Sequence, residues 1–261
     1  MHPALWISVT GLEAQNTDIR VISNNLANVS TTGYKKSRAV FEDLLYQNVR
    51  QPGGQSTENT ELPSGLMLGT GVKTLATQKI FSQGSVINTQ NQLDLAINGK
   101  GFFQITRPDG TIAYTRDGSF QLNSQGQIVT GNGYLLDPNI TVPDDTVSIT
   151  IGTDGIVSVL TQGNNTPQQI GNIEISDFIN PAGLQPIGEN QYTETAASGT
   201  PTTGTPGLTG LGSLAQGSLE SSNVNVVEEL VRLIQTQRAY EMNAKSVETV
   251  DGMLRYLSQN L

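Results

Sequence analysis

Two stretches at opposite ends of the chain carry an apolar residue at every seventh position. Toward the C-terminus these are Val226, Leu233, Tyr240, Val247, Leu254 and Leu261; toward the N-terminus they are Leu5, Leu12, Ile19 and Leu26. A seven-residue repeat returns a side chain to one helix face every two turns, so both stretches are expected to be amphipathic helices. Leu230 and Ala244 extend the C-terminal face, and Val250 and Leu257 widen its other side; Val9, Ile22 and Val29 flank the N-terminal face. From Asn225 to the end there is no proline, and Gly252 is the single glycine. At 1.5 Å per residue, such a helix is about 50 Å long. Asn225 and the preceding Ser221, Ser222 and Asn223 are cap formers, with Glu228 placed as in a capping box. Glu228–Arg232, Glu241–Lys245 and Asp251–Arg255 have the spacing of exposed helical ion pairs. The N-terminal helix is expected over residues 3–29, opened by Pro3, with Gly33 reading as its stop.

Between the helices the pattern changes twice. Residues 46–72 are rich in Gly, Pro, Ser, Thr and Gln without periodicity and read as a long loop or extended hairpin. From Val72 to about Thr193 the period is two. Short apolar runs such as Phe102–Thr106, Ile112–Thr115, Ile128–Thr130, Val147–Ile151 and Ile156–Leu160 alternate with Asp-Gly and Asn-Gly turns, the pattern of antiparallel strands. Residues 196–217, rich in Gly, Thr and Pro, read as an extended connector back to the long helix.

The expected fold is therefore α+β and multidomain. A discontinuous coiled-coil domain of N- and C-terminal helices holds an inserted antiparallel β-domain and a long extended loop. Residues 1–35 with 222–261 form the helical domain, 36–72 with 194–221 the linker and loop region, and 73–193 the β-rich outer domain. The heptad stripes can pack on each other or on neighbouring subunits as well. The widening near Val250 and Leu257 favours the second, because one partner helix does not fill it.

Composition narrows the chemistry. Charged residues are 14%, against about 25% in typical chains, and the net charge is −9. Nucleic acid and anionic membrane surfaces are disfavoured as partners, since both need clustered Lys and Arg. No run of about 20 apolar residues occurs, so no membrane insertion is expected. Cysteine is absent and His2 is the only histidine, which leaves no thiolate zinc site and no His-based triad. Asp144, Asp145 and Asp137 lack calcium-loop spacing and read as polar turns. No pair of carboxylates is singled out for glycoside hydrolysis. Gly99-Lys100-Gly101 lacks phosphate-loop spacing. No catalytic residue, metal or cofactor is expected. The N-terminus has no basic n-region, which taken alone points to the cytoplasm.

Three further strings are informative together. Ser23-Asn24-Asn25-Leu26-Ala27-Asn28 is followed by Thr32-Gly33-Tyr34-Lys35. Leu93-Asp94-Leu95-Ala96-Ile97, with Gly99, Gly101, Phe102 and Phe103, precedes Tyr114-Thr115-Arg116-Asp117-Gly118-Ser119-Phe120. Ser221-Ser222-Asn223-Val224 runs into Glu228-Glu229-Leu230 and Gln237-Arg238-Ala239-Tyr240-Glu241. In order and spacing these resemble the signatures of the bacterial flagellar rod and hook proteins. The segment Arg50-Gln51-Pro52-Gly53-Gly54, with Leu62-Pro63-Ser64-Gly65, is similar to the insertion of the distal-rod members. Proximal rod or hook membership is the nearest alternative, and a β-domain carbohydrate-binding module or glycosidase is the alternative from a different class.

The resemblance implies a non-enzymatic subunit of the flagellar basal body, exported without a cleaved signal by the flagellar type III apparatus. It implies a helical homopolymer crossing the periplasm as a hollow drive shaft. Its neighbours would be proximal rod proteins, the hook protein and the L-ring and P-ring proteins. The heptad residues would then be assembly residues, and Asn24, Asn25, Asn28, Gly33 and Tyr34 family-motif residues.

Overall fold

The computed structural model describes residues 3–53, 55–57, 60–61, 63–163 and 166–259. His2, Gly54, Leu62 and Leu261, and the side chain of Leu257, lie outside the described set. The chain divides into two compact units. The first comprises the segments up to Leu26, from Ser37 to Gln78, and from Asn225 on; the second comprises Ala27–Lys36 and Lys79–Val224.

The first unit is built on α1 (Pro3–Ala27) and α2 (Val226–Gln259), with strands β1 (Ser37–Asp43), β2 (Gln47–Arg50), β3 (Gln55–Thr57), β4 (Thr60–Glu61), β5 (Leu66–Leu68) and β6 (Val72–Lys79). Asn225 caps α2: its Oδ1 accepts the Val227 and Glu228 N–H groups at 3.1 and 3.4 Å. Contacts between the helices run in opposite senses along the two sequences, so the pair is antiparallel. Asn25 meets Glu229, Asp18 meets Arg232 and Thr236, and a Cβ on Gly11 would lie 2.9 Å from Asn243 Nδ2. The most buried residues of α1 are Ser8, Ala14, Ile22 and Asn25. Leu5, Leu12, Ile19 and Leu26 flank that line and are half-buried. On α2, Glu229 is buried and Leu233 and Val247 are half-buried, while Val226, Tyr240 and Leu254 are exposed. The contact line is thus turned away from the sevenfold stripe. Small side chains let the backbones approach, and polar pairs fix the contact, neither of which an apolar count detects. Arg232, spaced for a pair with Glu228, reaches Asp18 across the helices at 3.2 Å; Asp251–Arg255 forms the expected surface pair at 2.7 Å.

Strand β1 pairs with β6, β2 with β5 and β3 with β4, all antiparallel where register is described. Much of the stretch lacking periodicity is therefore paired ribbon. Both faces of β2 and β5 see solvent, so no alternation marks them. Gly71 sits at φ +124°, and Thr10 Oγ1 on α1 accepts the Val72 N–H at 3.4 Å.

The second unit carries the other strands: β7 (Val86–Asn88), β8 (Leu95–Asn98), β9 (Phe102–Thr106), β10 (Ile112–Thr115), β11 (Phe120–Leu122), β12 (Ile128–Thr130), β13 (Leu135–Asp137), β14 (Thr146–Ile151), β15 (Ile156–Thr161), β16 (Gln168–Asn172), β17 (Ile175–Asp177), β18 (Gln185–Gly188), β19 (Gln191–Thr193), β20 (Thr202–Gly204), β21 (Ser213–Gln216) and β22 (Ser218–Glu220). A nine-stranded sheet runs β11-β12-β13-β9-β10-β19-β18, with β17 joining β9 to β20; β14-β15-β16 form a second sheet. Strand alternation sends neighbouring side chains of β9 to opposite faces. Phe103 enters the larger core with Leu95, Ile97, Phe120, Leu136, Val157 and Ile175. Phe102 enters a smaller aromatic core with Tyr114, Phe178, Leu184 and Tyr192. Each such ring or branched side chain, fully buried, contributes about 1.5–3 kcal/mol relative to exposure. The stretch that reads as connector supplies β20, which pairs with β17, and β21, which pairs with β8. Three- and four-residue strands in a Gly/Thr-rich run are too short to show a period.

Candidate functional site

The first signature string continues past α1 into a tight turn. Thr31 and Tyr34 donate N–H bonds to the carbonyls of Asn28 and Thr31 at 3.2 and 3.3 Å. Gly33 does not end the helix, which stops at Ala27; it holds φ +68° inside this turn, where a Cβ would lie 2.7 Å from the Asp117 nitrogen. Only glycine meets both demands. The Gly33 N–H donates to the Glu220 carbonyl at 2.8 Å, and Asn190 Nδ2 donates to the Thr32 carbonyl at 3.0 Å.

The turn delivers Lys35 into a buried cluster. Its ammonium donates to Glu220 Oε1 at 2.5 Å and to the Ser82 carbonyl at 2.9 Å. The same Oε1 accepts the Gly84 N–H at 2.8 Å, while Oε2 faces Arg116 Nη1 at 3.3 Å. Arg116 Nη2 donates to the Gly99 carbonyl at 2.7 Å, and its guanidinium stands 5.3 Å from the centre of the Phe102 ring. Lys35, Glu220 and Arg116 are 0%, 1% and 4% exposed. Two cations thus share one carboxylate away from water. Burial pulls the Lys35 ammonium below its ordinary pKa, and Glu220 opposes that shift. Arg116 is lowered by burial and raised by Glu220 in the same way. Lys79 adds a third cation, also lowered by burial, that lies 4.5 Å from the Tyr34 ring centre and donates to the Lys35 carbonyl at 3.0 Å. Burial raises the neighbouring Tyr192 phenol.

Asn223 completes the junction. Its Oδ1 accepts the Lys36 N–H at 2.7 Å, and its Nδ2 donates to the Ile80 and Ser82 carbonyls at 2.8 and 3.2 Å. One residue from each signature string therefore meets here: Lys35, Arg116, and Asn223 with its near neighbour Glu220. The motifs are legible as strings, but the three charges that connect them are not. The available signal was Glu220 at the end of a short alternating run in a chain poor in charge.

Other residues marked in the sequence are distributed elsewhere. Asn25 is buried in the first unit; its Oδ1 accepts the Ser37 N–H at 2.9 Å and its Nδ2 donates to the Ser37 carbonyl at 2.8 Å. Asn24 is exposed, and Asn28 and Tyr34 belong to the turn. Arg50 ends β2, and Gln51, Pro52 and Gly53 follow in an exposed turn with Gly53 at φ +76°. Among the described residues no group of three or more acidic, His or Cys side chains could hold a metal ion, and no helix is long and apolar enough to cross a membrane. The cluster's chemistry is that of structural anchoring.

Three family profiles match the chain in order. They are described as flagella basal body rod protein at residues 5–35, flagellar hook protein FlgE/F/G D1 domain at 96–159, and flagellar basal body rod FlgEFG protein C-terminal at 215–260. The flagellar basal-body rod protein FlgG of Buchnera aphidicola subsp. Schizaphis graminum is 59% identical over 259 residues, covering 99% of this chain and 100% of the relative. That of Borreliella burgdorferi is 51% identical over 97% of each chain. The flagellar hook-basal body complex protein FlhP of Bacillus subtilis is 31% identical over 97% of each. These matches set aside the glycosidase and carbohydrate-binding alternatives. The turn that seats Lys35, the bend after β10 that carries Arg116 and the segment that presents Glu220 and Asn223 fall in or beside the matched regions, and the chain belongs to the FlgG family of flagellar basal-body rod proteins, structural subunits of the distal rod rather than enzymes.

Proposed function

We propose that the chain polymerises helically, through head-to-tail contacts that do not close into a ring, into a rigid hollow shaft that carries torque from motor to hook. The observation that supports this best is the apolar surface left on α2: Val227, Val231, Ile234, Met242, Met253 and Tyr256 are exposed alongside Val226, Tyr240 and Leu254. In this reading residues 1–35 and 222–261 form a coiled-coil wall around an export channel, and residues 73–193 form the outer surface. The long 46–72 loop bridges neighbouring subunits; exposed Tyr46, Val49, Leu66, Met67 and Leu68 suit that role. The shaft crosses the periplasm and meets proximal rod proteins, the hook protein and the L-ring and P-ring proteins, after export through the flagellar type III apparatus. The test is polymerisation of Tyr240→Asp and Leu254→Asp, both exposed on the single chain. Loss of polymer with an intact β-unit spectrum is expected; wild-type filaments would overturn the reading.

A further inference from the structure

We infer that residues 211–224 are a strap that closes the β-unit last, with Glu220 as its latch. Strand β8 pairs with β21, and β7 pairs with β22, so two early strands take their named partners from the end of the unit. Leu95, Ala96 and Ile97 of β8 are at most 1% exposed, and Leu211 and Leu214 belong to the large core. The core therefore stays open along one side until the strap docks.

Two physical effects place that docking late. The pairs β9–β10, β11–β12 and β14–β15 close short turns, whereas Glu220 lies 104 positions from Arg116 and 185 from Lys35. Closing a longer loop costs more chain entropy before any contact rewards it, so non-local pairings form after local ones. The second effect is electrostatic. Without Glu220 the cluster holds Lys35 and Arg116 with no carboxylate between them. Burying an unpaired cation is strongly opposed, so this part of the unit remains hydrated until the carboxylate arrives. In a chain made from the N-terminus, Glu220 appears after every strand of the unit from β7 to β21. This side of the β-unit thus stays open until residue 220 has been made. The inference concerns the single chain and stands whether or not subunits polymerise.

The test is folding kinetics of the full chain, followed by the near-ultraviolet dichroism of the buried Tyr114 and Tyr192. Glu220→Gln and Leu214→Val, both in the strap, should speed unfolding, about tenfold or more for Glu220→Gln, and leave refolding within about twofold of wild type. Ile105→Val, in β9, should slow refolding. If the strap variants slow refolding in proportion to the stability they lose, the strap forms early and the inference fails. Should Glu220→Gln not fold, Leu214→Val decides by the same comparison.

Discussion

Asn25 and Glu229, 204 positions apart, meet through a hydrogen bond of 3.2 Å from the Asn25 Nδ2 to the Glu229 Oε2, and both side chains are 0% exposed. The same amide binds the backbone of Ser37 in both directions. One side chain therefore joins α1, the start of β1 and the first turn of α2. The Glu229 carboxylate also lies near the positive end of α2, where the exposed N–H groups favour an anion.

Replacing Asn25 by alanine removes the donor to Glu229 and both bonds to Ser37. Each buried polar group left unsatisfied costs about 1–3 kcal/mol. Asn25→Ala should lower the urea midpoint of the helical signal while leaving the aromatic signal of the β-unit unchanged. A common shift in both signals would show that Asn25 serves more than the first unit.

Gly33→Ala tests the turn. Its φ of +68° is a conformation that costs an L side chain about 1–2 kcal/mol, and the new Cβ would press on backbone atoms of Asp117 and Arg116 that cannot rotate away. Thermal unfolding should show a loss of at least that size. An unchanged melting temperature would mean that the turn relaxes freely.

Asp117→Asn tests the sign of a buried carboxyl. Burial pushes Asp117 above its ordinary pKa of 3.8, and its bonds with Ser119 oppose that shift. The folded state then holds the Asp117 proton more tightly than the unfolded chain does. Its charged form is a liability above the folded pKa, and that liability vanishes as pH falls and the group is neutral in both states. An asparagine keeps an Oδ1 that can accept from the Ser119 N–H and hydroxyl. Asp117→Asn should be more stable than wild type at neutral pH, with the difference shrinking as pH falls through the raised folded pKa and gone below about pH 4. A difference independent of pH would remove the titration as its cause.

Gly252→Ala should stabilise α2. Nothing lies within 4 Å of the Cβ it would gain, and glycine inside a helix costs about 0.5–1 kcal/mol relative to alanine. Gly11→Ala should show a smaller gain, because its Cβ would meet Asn243 Nδ2 at 2.9 Å. Helicity in a thermal melt separates the two. Equal gains would show that Asn243 moves aside without cost.

The regular elements were legible where a period could express itself. Phe102–Thr106, Ile112–Thr115 and Ile128–Thr130 are strands with the bounds that alternation predicts, and Asn225 is the predicted cap. The period failed where burial is not one-sided. Strands β2 and β5 have no core face, and Gly11 and Asp18 line a helix contact without being apolar. Lys35, Arg116 and Glu220 stayed hidden for a related reason. Each looks like a solvated charge until a fold brings together residues more than a hundred positions apart, and no local pattern contains that distance.

The chain passes between its two units four times, at residues 26–27, 36–37, 78–79 and 224–225. Beside three of these passages, Asn223 bonds Lys36 and Ile80, and the Ile80 N–H donates to the Lys36 carbonyl at 2.9 Å. Strands bound side by side share a pull, as the yarns of a rope do. Within the second unit, neighbouring segments locked this way must break those bonds before one peels from the others. One asparagine thus splices three entries of the backbone into the second unit.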